Sequence, residues 1–444
     1  MKKLYTLLIA LYFVGGAIGQ TYNPCESCLP DGITFTTQAQ IDSFQINYPG
    51  CTEIEGDVII ENADVNNLNG LSVLTSVGGM FKIQQCTLLT SLTGLDNISF
   101  VGGLIVSNVT LLTNLSGLNN LDSIQGGFQI SQNESLTSLS DLENLTSAGS
   151  ISIMNNDALT SLSGLDNVTF IGNLGIINNN ALASLSGLDN VTSVQGSLAI
   201  RGNLNLKNLT GLNSLTSIGG TLVIGASDSV GAQNSTLTSL TGLENLTSIG
   251  QSLVMNCNSS LPNFAELENL TSIGESISIG APTPYLNESL TSLAGLDNID
   301  AGTIHDLTIY NNPNLSNCNV KSICDYLGAP TGNVTIHDNG AGCNSQEEII
   351  EDCAFGIGES SVINQQSLAN IYPNPTHSSI TIELPTQPSK NTSLTISNTN
   401  GQQLITQPIT KPQTEIDISR LPTGIYIVKV WNDKEVMVQK VIKQ

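Results

Sequence analysis

A column of acidic residues is the pattern in this sequence whose chemistry is easiest to name. A four-residue unit, GLDN in its commonest form, recurs every 23 to 31 residues, and its third residue is usually acidic. The acidic members are Asp96, Glu143, Asp166, Asp189, Glu244, Glu268 and Asp297. Stacked carboxylates would form a ridge suited to Ca²⁺, which prefers carboxylate and carbonyl oxygens. The alternative, which we favour, is an exposed corner whose carboxylates accept backbone N–H bonds and keep the surface soluble.

Catalytic chemistry is not indicated elsewhere in the chain. The three histidines, His305, His337 and His377, lie in no H-E-x-x-H motif, and neither G-x-S-x-G nor a P-loop is present. Serine and threonine are abundant, but none has an evident base beside it. The sequence therefore predicts no enzyme and no cofactor, with calcium as the one candidate metal.

The acidic column belongs to a repeat of ten coils. Within one coil, Leu174 and Ile176 alternate with period 2, as in a short strand with both side chains inward. Later apolar residues follow in steps of three, which suits short straight pieces joined by tight corners. We predict twelve strand positions in a parallel sheet with about 4.8 Å between rungs. They begin at Val58, Phe81, Leu104, Phe128, Ile151, Leu174, Leu198, Leu222, Leu253, Ile277, Leu307 and Val334.

An asparagine follows most of these strands, three residues after the second inward side chain. The members are Asn133, Asn156, Asn179, Asn203, Asn258, Asn312 and Asn339. Buried there, an Asn can bond backbone groups of adjacent coils that would otherwise lack partners. Cys86 takes this place once, and Ala226 and Ala281 take it in two coils with insertions, which we expect to need no such Asn.

A second asparagine column is the last residue of the GLDN unit. Its members are Asn97, Asn120, Asn144, Asn167, Asn190, Asn245, Asn269 and Asn298. Many of them create N-x-S/T sequences, which mark N-glycans in eukaryotic secreted proteins. We interpret them instead as residues that form the corner of the coil.

The outward positions of the sheet are a candidate ligand face. The residues with larger or charged side chains there are Lys82, Met154, Ile177, Arg201, Tyr310 and His337. Interfaces concentrate Tyr, Trp and Arg, and here such residues are scattered among small ones. The insertions at 226–236 and 281–288 are equal candidates for contact with an extracellular glycan or protein.

Nine cysteines fit an oxidising compartment. The disulfide candidates are Cys25, Cys28, Cys51, Cys86, Cys318, Cys324, Cys343 and Cys353, and Cys257 is the expected remaining thiol. Most of them flank the repeats, where an open solenoid end requires a cap. The pairing stays open, because the four C-terminal cap cysteines alone allow three connectivities.

The ends of the chain indicate export. Lys2 and Lys3, an apolar run and small residues near Gly19 are typical of a secretory signal at residues 1–19. No other segment is apolar enough to span a membrane. We further predict an N-terminal cap at 20–57, repeats at 58–317, a C-terminal cap at 318–354, a linker at 355–366 and a final module at 367–444. Thr37 and Gln40 form a capping box before a helix in the first cap.

The repeat resembles a known family. L-x-I-x-x-N/C followed by L-x-x-L-x-x-L resembles a leucine-rich repeat, and the longer pattern, with LTSIGGTLVI, resembles the receptor L-domain type of solenoid over about Val58 to Ile336. This resemblance implies a mainly β fold, a parallel-strand solenoid with short helical caps. It also implies a binding scaffold, because this architecture serves many ligands.

The final module has a different resemblance. Segments such as SSITIEL and GIYIVKVW alternate apolar and polar residues between turns, as in a small antiparallel β-sandwich. IYPNPTHSSITI, NTNGQQL, IDISRLPTGIYIVKV and the lysine-containing end KVIKQ resemble the type A C-terminal sorting domain of the type IX secretion system, from about Asn370 to Gln444. The resemblance implies a Gram-negative source, transit through the periplasm, contact with the type IX machinery through residues 367–444, and a product released or held at the outer-membrane surface.

Charge narrows the classes of partner. The net charge is −24, and residues 20–366 hold 32 acids and four bases. Such acidity argues against nucleic acid and anionic lipid. The sequence therefore favours a non-catalytic recognition or adhesion protein. The alternatives are a purely structural surface-layer component and, with less support, an enzyme with an unrecognised site.

Overall fold

The computed structural model describes residues 27–225, 233–280, 286–356, 369–398, 402–432 and 436–444. The predicted signal peptide, most of the predicted linker, and Cys25, Ala226 and Ala281 lie outside these ranges. The chain forms two compact units. The first runs to Leu237 and includes Thr241–Leu246, and the second comprises Thr238–Leu240 and everything from Thr247 onwards.

Parallel strands stacked rung on rung build the first unit. These are β1 (Ile33–Phe35), β2 (Glu53–Ile54), β3 (Val58–Glu61), β4 (Ser76–Gln84), β5 (Phe100–Ser107), β6 (Ser123–Ser131), β7 (Ser147–Met154), β8 (Phe170–Ile177), β9 (Ser193–Val194), β10 (Leu198–Arg201), β11 (Ser217–Ile218) and β12 (Leu222–Ile224). The strand positions predicted from Val58 to Leu222 are paired with one another residue for residue. The prediction of a parallel leucine-rich solenoid is confirmed here.

The core of each coil is one strip of aliphatic side chains. Leu174 and Ile176 are buried, as are Leu182 and Leu185 further along the same coil. Burial of one such side chain contributes about 1.5–3 kcal/mol. Because a single coil has only one apolar strip, it gains this stability only when neighbouring coils cover it.

The N-terminal cap adds one rung that the sequence did not predict. Strand β1 pairs in parallel with β3. Helices α1 (Gln38–Asp42) and α2 (Phe44–Asn47) follow, and the predicted capping box of Thr37 and Gln40 is present. Ile41 and Phe44 are fully buried, so these helices cover the end of the apolar strip.

The second unit continues the same pattern of parallel strands. These are β13 (Ser248–Ile249), β14 (Leu253–Met255), β15 (Ser272–Ile273), β16 (Ser276–Ile279), β17 (Asp306–Asn312) and β18 (Val334–Asn339). Leu253, Ile277, Leu307 and Val334 occupy equivalent places on successive rungs, as predicted. Short 3₁₀ helices lie at four corners of the two units, at Asn69–Leu71, Ser140–Leu142, Ala265–Leu267 and Ala301–Thr303.

Two helices and two disulfides form the C-terminal cap. Helix α3 (Lys321–Gly328) buries Ile323, Tyr326 and Leu327, and α4 (Gln346–Gly356) follows β18. The bridges are Cys318–Cys343 and Cys324–Cys353, while Cys28–Cys51 closes the N-terminal cap. In the described part of the chain, no helix has both the length and the apolar character needed to cross a bilayer.

The final module is antiparallel, as its alternating pattern predicts. Its strands are β19 (Asn370–Tyr372), β20 (Ser379–Glu383), β21 (Ser393–Asn398), β22 (Gln403–Pro408), β23 (Gln413–Asp417), β24 (Gly424–Trp431) and β25 (Val436–Lys443). One sheet has the order β19-β20-β23 and the other β22-β21-β24-β25. Buried aliphatic side chains such as Ile380, Ile396 and Val428 form the core of the module.

Candidate functional site

Buried asparagines form an inner ladder along the first unit. Asn179 shows the pattern: its Nδ2 donates to Ile153 O at 2.9 Å, and its Oδ1 accepts from the backbone N–H of Asn156 at 3.2 Å. Asn133, Asn156 and Asn203 bond in the same way between coils. The prediction that these residues satisfy backbone groups of adjacent coils is confirmed.

The two coils with insertions also contribute to the inner ladder, contrary to expectation. Asn234 donates to Ile200 O at 2.9 Å, and Asn287 donates to Met255 O at 3.1 Å. Each lies near the end of the segment assigned to its insertion, three residues before LTSL, so the chain has returned to the common path by this position. Counting backwards from LTSL, which N-x-x precedes in several coils, would have found both residues.

The structure differs from the disulfide prediction at Cys86. Its thiol is buried at the inner-ladder position and contacts Ile60 O at 3.7 Å and Gln84 O at 3.3 Å. Burial raises the pKa of this thiol, while the backbone N–H of Asn62 acts in the opposite direction. Cys86 therefore takes the role of a ladder asparagine. It is a free thiol and forms no disulfide. Cys257 is also a buried thiol.

The second asparagine column lies on the outside of the corners. Asn167 Nδ2 donates to Glu143 O, and Asn190 Nδ2 donates to Asp166 O, both at 2.7 Å. Asn97, Asn120, Asn144, Asn245 and Asn298 make the same bond to the coil before them. These amides link successive coils, which confirms their interpretation as corner residues.

The acidic column is engaged by the backbone of its own corner. Asp166 Oδ2 accepts from the N–H of Gly164 at 2.7 Å, and Glu244 Oε2 accepts from that of Gly242 at 2.7 Å. Asp96, Asp189 and Asp297 make the same contact. Asn119 does so with its amide oxygen at 3.2 Å, so the bond does not depend on a negative charge.

Three coils replace this corner by a 3₁₀ turn. Glu143 and Glu268, the remaining members of the acidic column, are the residues that end two of these turns. There the first residue of the unit is acidic and reaches the preceding coil: Asp141 accepts from Leu115 N at 2.9 Å and from Ser116 Oγ at 3.3 Å. Within the described ranges, no group of three or more His, Cys, Asp or Glu side chains is placed to hold a metal ion.

The residues of the candidate ligand face fall into separate groups. In the first unit, Met154, Ile177 and Arg201 lie on consecutive rungs, while Lys82 lies elsewhere on the face. In the second unit, Tyr310 and His337 are neighbours, with ring centroids 5.3 Å apart. The two groups are thus one aliphatic-basic cluster and one aromatic pair.

The aromatic pair has polar neighbours that sequence reasoning did not single out. His337 Nδ1 lies 2.8 Å from an Asp338 carboxylate oxygen. Partial burial raises the pKa of Tyr310, and the nearby Cys257 adds to this effect. Asn256, two rungs from Tyr310 in the same column, is only 7% exposed, and its Oδ1 has no hydrogen-bond partner among the described residues. His305 and His377 are exposed and lie outside this cluster.

Comparison with known families identifies two parts of the chain. Residues 370–444 match the model of the secretion system C-terminal sorting domain, and residues 168–263 match that of the receptor L domain. The chain therefore carries a sorting tail, which implies secretion by the type IX system, and a receptor L domain, which suggests a ligand-binding surface protein. No curated protein sequence matches the chain.

Proposed function

We propose that this protein is a non-catalytic recognition or adhesion protein that the type IX system exports to the surface, or to the surroundings, of a Gram-negative bacterium. The observation that supports this most strongly is the pairing of a sorting tail with a receptor L domain in one chain. The tail would direct export of the chain, and the parallel sheet would offer a wide face for binding a ligand.

We also propose where each part of the chain begins and ends. The signal at residues 1–19 would direct the chain to the periplasm, and residues 20–354 would be the delivered, capped solenoid. The linker at 355–366 would separate it from the module at 367–444, which contacts the secretion machinery. Disulfides at both caps support an extracytoplasmic destination, because such bonds persist in oxidising compartments.

The hydrogen bonding of the coils supports a rigid scaffold rather than a site for chemistry. Inner-ladder amides, corner amides and most acidic-column side chains bond the backbone, so the repeated polar groups stabilise the coils. Recognition then falls to the residues that the repeat does not use, which lie on the outward face.

A binding screen tests the recognition role. The purified full-length chain would be presented to panels of glycans and bacterial surface proteins, with and without calcium. Saturable binding to one class of partner would support the proposal. A uniformly blank screen, together with high abundance on the cell surface, would favour a purely structural surface component, and turnover of any screened compound would favour an enzyme.

A further inference from the structure

Three residues of the second unit share one column on the outward face. Met255, Ile279, Ile309 and Ile336 are paired on successive rungs, and the next residues are Asn256, Gly280, Tyr310 and His337. Gly280 places no side chain between Asn256 and Tyr310. The Tyr310 carbonyl lies where a Cβ of Gly280 would be, and Asn256 and Tyr310 are two rungs, or about 10 Å, apart in this column.

Asn256 carries an acceptor that no described residue satisfies. Its Oδ1 is buried and lacks a donor within the described ranges, whereas nearby Asn258 and Asn287 are bonded from coil to coil. Buried polar atoms in native proteins are nearly always hydrogen-bonded, and an unmet acceptor lowers stability. A donor supplied from outside the chain would remove this deficit.

The side chains near Asn256 in this column indicate which class of ligand could carry that donor. The rings of the half-buried Tyr310 and of His337 have centroids 5.3 Å apart and offer flat apolar surface in the same column as Asn256. The Asp338 carboxylate next to His337 is a second acceptor. Residues 20–366 hold 32 acids and four bases, which disfavours an anionic ligand. A ligand with an apolar ring face, several hydroxyl donors and no charge fits these groups best.

We propose that Asn256, Tyr310 and His337 form a subsite for a neutral hexose, which stacks on Tyr310 and donates its exocyclic hydroxyl to Asn256 Oδ1. The hydroxymethyl group projects from the sugar ring, so among the hydroxyls it is the one best placed to cross the Gly280 rung towards Asn256. The subsite rests on the proposed recognition function and specifies its ligand class.

Calorimetry with paired sugars tests the subsite. The full-length chain would be titrated with the methyl glycosides of glucose, galactose and mannose, and with their 6-deoxy counterparts. We expect at least one hexoside to bind, its 6-deoxy form and the Asn256→Ala variant each to weaken binding about tenfold, and the two losses not to add, because both remove one hydrogen bond. Tyr310→Ala should abolish the stacking and bind more weakly still.

Controls separate the possible outcomes. Asn180→Ala removes a surface amide of the first unit that bonds Asp157, away from the candidate ligand face, and should bind like the parent chain. Asn256→Ala should melt at or above the parent temperature, because it removes an unsatisfied acceptor. The subsite is overturned if no hexoside binds, or if Asn256→Ala binds every sugar as the parent does. A chain that binds a surface protein but no hexoside would overturn the subsite and leave the recognition function standing.

Discussion

Single asparagines determine how one coil is joined to the next. Each inner-ladder side chain uses both ends of its amide, one as donor and one as acceptor, to bridge two coils. No other side chain of this size offers both functions with this geometry. The position is therefore specified by hydrogen bonding rather than by apolar burial, although it lies in the interior.

Replacing one ladder asparagine should strongly destabilise the first unit. Asn179→Ala removes the side-chain acceptor of the buried Asn156 N–H and the amide donor to Ile153 O, and we expect a loss of about 3 kcal/mol in the free energy of unfolding. Urea denaturation followed by circular dichroism measures it. Asn180→Ala is the matched control, because Asn180 is more exposed and its amide bonds the Asp157 side chain at the surface, so its loss should stay under about 1 kcal/mol. Equal losses for the two variants would contradict the ladder account.

Cys86 offers the reverse experiment. Cys86→Asn should be tolerated or stabilising, because an amide can donate to Ile60 O and accept from Asn62 N–H, where the thiol now does so weakly. Cys86→Leu has the same branched outline as asparagine but no polar atom, and should destabilise by about 1–3 kcal/mol. Thermal melting at neutral pH compares them, and a Cys86→Asn protein less stable than Cys86→Leu would refute the assignment.

Burial raises the pKa of the Cys86 thiol in the folded chain. The stability that the neutral thiol contributes is therefore lost as pH rises above the pKa of a thiol in the unfolded chain, and Cys86→Asn should reduce that alkaline loss.

Corners are the elements that set the close spacing of the coils. Seven GLDN glycines have positive φ between 103° and 115°, a backbone region that other residues rarely adopt. At Gly164, an added Cβ would also collide with the backbone carbonyl of Leu139 in the preceding coil. The glycine is thus required both by its own conformation and by its neighbour.

A methyl group at one corner should therefore be costly. Gly164→Ala is expected to lose about 3 kcal/mol or more of stability, from backbone strain and from the forced separation of two coils. Gly127→Ala is the control, because an added Cβ at Gly127 meets no atom within 4 Å. Chemical denaturation of both variants checks the difference, and a Gly164→Ala protein as stable as Gly127→Ala would disprove the packing argument.

Elements with a strong local signal could be predicted from the sequence. The period-2 pairs fixed all twelve strand positions, because a side chain that points inward must be apolar. Strand β1 was missed, since Ile33 and Phe35 precede a cap whose composition lacks the repeat. Asn234 and Asn287 are hidden from the pattern, because the insertions change their distance from the preceding strand. The cap disulfides could not be paired, because their partners meet only after the coils stack.

The candidate site was less predictable than the fold. Tyr310 and His337 stood out by residue type, but Asn256 did not, since asparagine is common in every coil. Only its missing hydrogen-bond partner distinguishes it, and that property depends on the packed structure.

At the scale of the whole molecule, the acidity is a surface property of the solenoid. Asp166 and four equivalent acids already accept a backbone N–H, and Asn119 does so without charge. We therefore expect millimolar calcium to leave the melting temperature of the full chain unchanged, and Asp166→Asn to alter its stability by less than about 0.5 kcal/mol. Differential scanning calorimetry checks both. A rise in melting temperature with calcium that Asp166→Asn abolishes would instead establish a metal-binding ridge.

The proposal for the whole protein depends on its C-terminal module, which determines where the solenoid acts. Cell fractionation of the native bacterium tests this most directly, comparing the complete chain with one lacking residues 367–444. The complete chain should be found outside the cell or on its surface, and the truncated chain should accumulate in the periplasm with its solenoid folded. Normal export of the truncated chain would contradict the account.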